Sequence, residues 1–318
     1  MSSEKSRGYA LGALAAMSYG LNPLFTLPLY HQGVGTDSVL MYRYLSAFVL
    51  LGAFMILRGK SLRISLKEAA LVGGLGLLMA LSSLFLFLSY RFMDAGVAST
   101  ILFVYPVLVA VIMAVGFRER MSWTTAVSIL MAFTGVALLC RGTNGVPLDW
   151  WGVTLVFLSS ASYAVYIVGV NRSALRHMET EKLTFYVLIV GMLLFGVRLA
   201  LSADWQPVPP NALAWSCAVA LGLFPTVISL VAMAGAIRRI GSTPTAILGA
   251  LEPVTALFFG VVVFGETFTP RIFTGVILIL GAVTCIIAGD TLAFQIMRFA
   301  HHSPIASLPR LWRLRHRR

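Results

Sequence analysis

Thr243-Pro244-Thr245-Ala246-Ile247-Leu248-Gly249-Ala250-Leu251-Glu252-Pro253-Val254-Thr255-Ala256-Leu257-Phe258-Phe259-Gly260-Val261-Val262-Val263-Phe264 decides the reading of this chain. It holds a single charged residue, Glu252, in the middle of an apolar run, with Pro253 directly after it. A carboxylate at that depth in a bilayer costs a few kcal/mol on insertion scales, so it is kept for a proton, an ion or a solute contact. Proline has no N–H, which leaves the carbonyl four residues back, that of Gly249, without its helical partner. A broken membrane helix beside a buried acid reads as a transport site and not as the active site of a soluble enzyme.

The rest of the 318-residue chain agrees with a membrane setting: 58% of residues are hydrophobic and 11% charged, against roughly 25% charged in soluble domains. Hydropathy predicts about ten spans, near 8–30, 38–57, 68–90, 95–117, 122–140, 150–170, 184–202, 212–236, 243–264 and 271–289. The stretch Met1 to Met17 resembles a signal peptide, with Lys5 and Arg7 ahead of an apolar run. The many spans after it favour an uncleaved first helix.

The formal charge of +12 is read by position. With the N-terminus in the cytoplasm, most Lys and Arg fall inside, including Arg58, Lys60, Arg172, Arg238 and Arg239. Arg91, Arg141, Arg198 and Arg271 fall outside. That asymmetry places both termini in the cytoplasm and argues against nucleic acid as the partner of the basic charge. Cys140, Cys217 and Cys285 lie in or beside apolar runs without metal or redox spacing, and read as small core residues. No metal or other cofactor is implied.

The halves repeat. Pro106 precedes Glu119 by thirteen positions, and Pro253 precedes Glu266 by thirteen. The offset of 147 also carries Arg91 onto Arg238, and an offset of 144 carries Ser18-Tyr19 onto Ser162-Tyr163 and Tyr42 onto Tyr186. Five helices per half is odd, so the halves enter the membrane in opposite directions. Inverted repeats of this kind place a solute site at their interface, near the midplane.

Several of these blocks resemble the EamA type of the drug/metabolite transporter superfamily. They are Pro106 through Arg118-Glu119-Arg120, Leu251-Glu252-Pro253 through Gly265-Glu266, the glycines at 135, 275 and 281, and Tyr42-Arg43-Tyr44. The resemblance covers about residues 8–289. It implies an all-α membrane protein of ten transmembrane helices in two inverted five-helix repeats, 8–140 and 150–289, followed by a basic cytoplasmic tail, 290–318. It also implies a carrier of amino acids, other metabolites, drugs or sugar-nucleotide-like solutes. The halves differ at two places: Val187 stands opposite Arg43, and Tyr105 opposite Glu252.

Pro106, Pro253 and Pro23 are the expected helix breaks, freeing the carbonyls of Leu102, Gly249 and Tyr19. Glu252 is expected to hold a substrate amine or to carry a proton, since burial disfavours a charged carboxyl. A structural carboxyl bonded to a neighbouring helix is the alternative. Arg43 either faces the bundle, where it would hold a substrate carboxylate, or snorkels to the headgroups. Tyr19 and Asn22 on the first helix, and Tyr163 and Tyr166 on the sixth, are candidates to line the pocket with polar-tipped rings. Ser99 and Phe103 are candidates for the same cavity. Tyr42 and Tyr186 could instead anchor helix ends. Glu119 and Glu266 read as local caps at the turn before the next helix. The tail either lies on anionic lipid or serves only as a disordered basic segment.

The resulting expectation is a secondary transporter in a bacterial inner membrane. It would export small polar or amphipathic metabolites, amino acids first, by alternating access, with proton coupling through Glu252. An uncoupled facilitator or exchanger is the nearest alternative. A membrane scaffold or lipid-handling protein has no need of paired breaks. An enzyme would need clustered His, Asp or Cys, and none appears. The sequence implies no oligomeric state.

Overall fold

The computed structural model describes residues 3–118, 123–140, 149–202, 205–240, 245 and 248–285. Most of these residues are helical, with no strand among them. The elements are α1 (Ser3–Gly20), α2 (Asn22–His31), α3 (Thr36–Leu57), α4 (Leu66–Ser89), α5 (Ala95–Leu102), α6 (Tyr105–Phe117), α7 (Trp123–Cys140), α8 (Trp150–Arg172), α9 (Thr180–Ser202), α10 (Ala212–Gly222), α11 (Ser229–Ile240) and α12 (Leu251–Phe264). A final helix, α13, spans Pro270–Cys285. A π-helical segment, Leu223–Ile228, joins α10 to α11.

Seven stretches among the described residues are long and apolar enough to cross a membrane. Three shorter apolar helices, Ala126–Leu139, Leu251–Phe264 and Pro270–Cys285, occupy the places of the remaining expected spans. The proposed tail lies outside the described residues.

Local chemistry fixes where several helices begin. Ser65 and Glu68 form a reciprocal cap at the start of α4: the Glu68 N–H donates to Ser65 Oγ (3.3 Å) and the Ser65 N–H to Glu68 Oε2 (2.9 Å). Asp149 and Asn211 accept from the first turns of α8 and α10, each at 2.8 Å. Two helices stop in the left-handed region at positions 147 residues apart, Arg118 (φ 55°) and Gly265 (φ 68°).

The halves do not form separate cores. α1 packs along α11, α4 against α8 and α9, α3 against α9 and α10, and α5 against α12. Each of these pairs joins an element before residue 141 to one after 149. One large apolar cluster, with Phe87, Phe103, Phe195 and Leu51 fully buried, runs through the molecule. Outward-facing side chains are also apolar: Leu57, Leu66, Trp150 and Leu201 are strongly exposed, as a bilayer-facing surface requires.

Contacts define two ends. At one, Lys60 bridges Glu179 (2.7 Å), Arg238 bridges Glu181 (3.4 Å) and Arg239 bridges Glu4 (3.2 Å). At the other, Arg198 Nε bridges Asp37 (2.8 Å).

Candidate functional site

Pro23, Pro106, Pro253 and Pro225 each free a helical carbonyl, and the structure gives each of these four a donor. Asn22 Nδ2 donates to the Tyr19 carbonyl (2.9 Å), freed by Pro23. Ser160 Oγ, from α8, donates to the Leu102 carbonyl (3.1 Å), freed by Pro106. The Gly249 carbonyl, freed by Pro253, accepts from the Glu252 N–H (3.0 Å). Pro225 makes a fourth break, and Thr226 Oγ1 donates to the Leu221 carbonyl it frees (3.2 Å). In an apolar medium an unmet carbonyl costs several kcal/mol, and a donor close in space offsets that cost at these four prolines.

These breaks surround one central cavity of about 480 Å³. Tyr19, Arg43, Tyr163, Tyr166 and Glu252 line it, as do Tyr105, Thr226 and Ser229. The lining extends to Thr184 and Ile237, close to the end that carries the Lys60–Glu179 bridge. Arg43 is at the other extreme. It is 4% exposed, with its guanidinium 5.2 Å from the Phe87 ring centroid and 6.0 Å from that of Tyr19. Its Nε reaches Thr226 Oγ1 at 3.4 Å. Arg43 therefore turns into the bundle and away from the headgroups. No salt bridge joins it to Glu252 among the described residues, so an acid and a base face the same space unpaired. Among the described residues, no cluster of His, Cys, Asp and Glu is arranged to hold a metal ion.

The aromatic wall is continuous. Tyr105 meets Tyr163 edge-on at 4.7 Å, and Tyr163 stacks on Tyr166 at 6.1 Å with 10° between ring planes. Such rings give apolar faces with hydroxyl tips.

The other expected site residues lie elsewhere. Asn22 is 2% exposed, and its amide serves the Tyr19 carbonyl. Ser99 is buried in α5. Phe103 is buried behind Tyr105, 5.8 Å from its ring. None of the three is in the cavity lining, and neither are Pro23, Pro106 and Pro253. Tyr42 and Tyr186 tie down opposite ends, bonding the carbonyls of Gln206 (2.8 Å) and Leu62.

Glu266 departs from its expected local role. Its carboxylate accepts from the Ala95 N–H (2.7 Å) and the Gly96 N–H (3.1 Å) at the start of α5, in the other half of the chain. Gly260 and Gly96 make room for it: a Cβ on Gly260 would fall 2.1 Å from the Glu266 carboxylate, and one on Gly96 2.8 Å. Burial, with Asp94 adding to it, pushes the Glu266 carboxyl up to about 7. Glu119 lies outside the described residues.

The sequence matches the EamA-like transporter family over residues 6–141 and again over 150–288. The chain belongs to that family. As an EamA-like protein it is an integral, multi-pass membrane protein and a membrane transporter. It is 25% identical over 229 residues to a transporter of Archaeoglobus fulgidus, covering 72% of this chain and 80% of that one. It is 24% identical over 255 residues to the Bacillus subtilis transporter YdfC, covering 79% and 82%. It is 28% identical over 189 residues to a biotin transporter of Salmonella typhimurium, covering 58% of this chain and 61% of that one. A crystal structure at 20% identity superimposes with a TM-score of 0.65, over 88% of this chain and 96% of the other. That likeness concerns the fold alone.

Within this EamA-like cavity, Tyr105, Thr226 and Ser229 escaped the sequence reading. Tyr105 carried a usable signal, since the 147-residue offset places it opposite Glu252. Thr226 had only a lone proline beside it, which in membrane helices often does no more than kink.

Proposed function

We propose that this protein is a secondary transporter that exports small polar or amphipathic metabolites, amino acids first, by alternating access around the central cavity. The observation that carries the reading is the unpaired Glu252 and Arg43 on one aromatic-walled cavity. A solute with an amine and a carboxylate meets both charges, and its side chain meets the tyrosines. Glu252 is the principal polar group. It holds the amine and, released from it, takes up the proton that couples flux to a gradient. In this reading the two five-helix units, 8–140 and 150–289, are inverted repeats with both termini in the cytoplasm. The cavity then extends toward the cytoplasmic end, in the membrane of a bacterial cell.

The second reading is an uncoupled facilitator or exchanger. The cargo named for the Salmonella relative, biotin, is a carboxylic acid, which Arg43 would suit without any role for a proton. Uptake of an amino-acid panel into proteoliposomes, with and without an imposed pH gradient, separates the two. Gradient-driven accumulation that disappears in Glu252→Gln supports coupled export. Transport indifferent to both gradient and substitution rejects coupling and leaves the facilitator.

A further inference from the structure

A second cavity, of about 610 Å³, lies at the end opposite the Lys60–Glu179 bridge and takes no part in the central site. Tyr30, Thr36, Asp37, Tyr90, Arg91 and Arg198 are among its walls. Its charge is not balanced. Arg198 is held by Asp37 through two bonds, at 2.8 and 3.0 Å. Arg91 forms no ion pair among the described residues and is exposed. One carboxylate therefore faces two guanidinium groups, beside the apolar faces of Leu27, Val34 and Leu88.

Two polar residues of the wall, Thr36 and Tyr90, are packed into the protein. Thr36 is 5% and Tyr90 7% exposed, so both stiffen the wall and leave the recognition of charge to the exposed Arg91. Thr36 interacts with the Tyr30 hydroxyl and Tyr90 with that of Ser99, and Tyr30 donates to the Phe87 carbonyl (2.9 Å).

Phe87 separates this cavity from the central one. It is fully buried. Its ring lies 5.6 Å from that of Tyr90, in the outer wall, and 5.2 Å from the guanidinium of Arg43, in the central wall. The two spaces are one aromatic side chain apart.

We propose that the outer cavity is a second binding site, for solutes that carry a carboxylate on an apolar body, with Arg91 as the group that recognises the charge. Its place as a station on the route out of the central cavity rests on the transport reading above; the binding site itself does not.

Labelling tests it. Cys140, Cys217 and Cys285 are replaced by alanine, Ser202 in the outer wall is replaced by cysteine, and its reaction with a neutral methanethiosulfonate is timed in nanodiscs. Excess benzoate is expected to slow the reaction several-fold, and benzamide, the uncharged isostere, to leave it unchanged. Arg91→Gln should remove the protection and Arg91→Lys retain part of it, with both variants eluting as monodisperse protein. Arg43→Gln, in the central cavity, should keep it. Equal effects of benzoate and benzamide, or protection that survives Arg91→Gln, overturn the site. Protection lost in Arg43→Gln assigns benzoate to the central cavity and overturns it too. Should the wild type move no solute while protection persists, the outer site stands and the transport reading falls.

Discussion

The breaks at Pro106 and Pro253 occupy equivalent sequence positions and are resolved in different ways. At the first, the freed Leu102 carbonyl is met by Ser160 from another helix, which pins α5 to α8. At the second, the freed Gly249 carbonyl is met by the backbone of the next turn, with no outside partner among the described residues. The residue before each proline lines the cavity, Tyr105 in one case and Glu252 in the other. One break is thus cross-linked and carries a ring; the other is self-contained and carries the charge. A repeat can duplicate a kink and still divide the labour, one copy holding the architecture and the other presenting chemistry.

That contrast can be broken by experiment. The largest effect should come from Glu252→Gln, with gradient-driven transport falling at least about tenfold, or ~1.4 kcal/mol, while Tyr105→Phe keeps most of it. Equal losses in the two variants would erase the distinction. Stability should show the reverse order. Ser160→Ala strands the Leu102 carbonyl and should cost about 1–3 kcal/mol, read as a lower Tm in detergent, whereas Glu252→Gln should not lower Tm.

A smaller effect concerns the clasp that joins the halves at Glu266. Its folded-state carboxyl is raised to about 7 by burial and then by Asp94, above an ordinary value near 4.5. A raised carboxyl contributes stability at low pH that is lost as pH climbs through the folded value. Tm should therefore decline between about pH 4.5 and 7, and Glu266→Gln should flatten that decline; an unchanged slope would mean that the clasp does not set it. Least of all, Lys60→Ala removes a solvent-exposed bridge, and its Tm shift should be too small to resolve.

Much of this architecture was legible because membrane chemistry is restrictive. Apolar runs marked the spans, and an isolated charge marked Glu252. The repeat offset drew attention to the paired prolines, and the cavity did gather Tyr19, Arg43, Tyr163 and Tyr166. What failed was rotation and distance. Asn22 and Phe103 lie close in sequence to cavity residues, yet each residue advances a helix by roughly 100°, and both point away. Glu266 found its donors 170 positions back in the chain, beyond any local rule for caps. The π segment at Leu223–Ile228 left only Pro225 as a trace, because an extra residue wound into a helix has no compositional mark.

That segment constrains how the gene can vary. Its six residues act as a phase shift between α10 and α11. Removing one codon there would turn α11 by roughly 100°, carrying Ser229 away from the Ala15 carbonyl it now bonds at 2.9 Å and Arg238 away from Glu181. Length in this stretch is therefore under tighter constraint than identity: side-chain exchanges can be absorbed residue by residue, while a single insertion or deletion misaligns every position downstream to Ile240 at once.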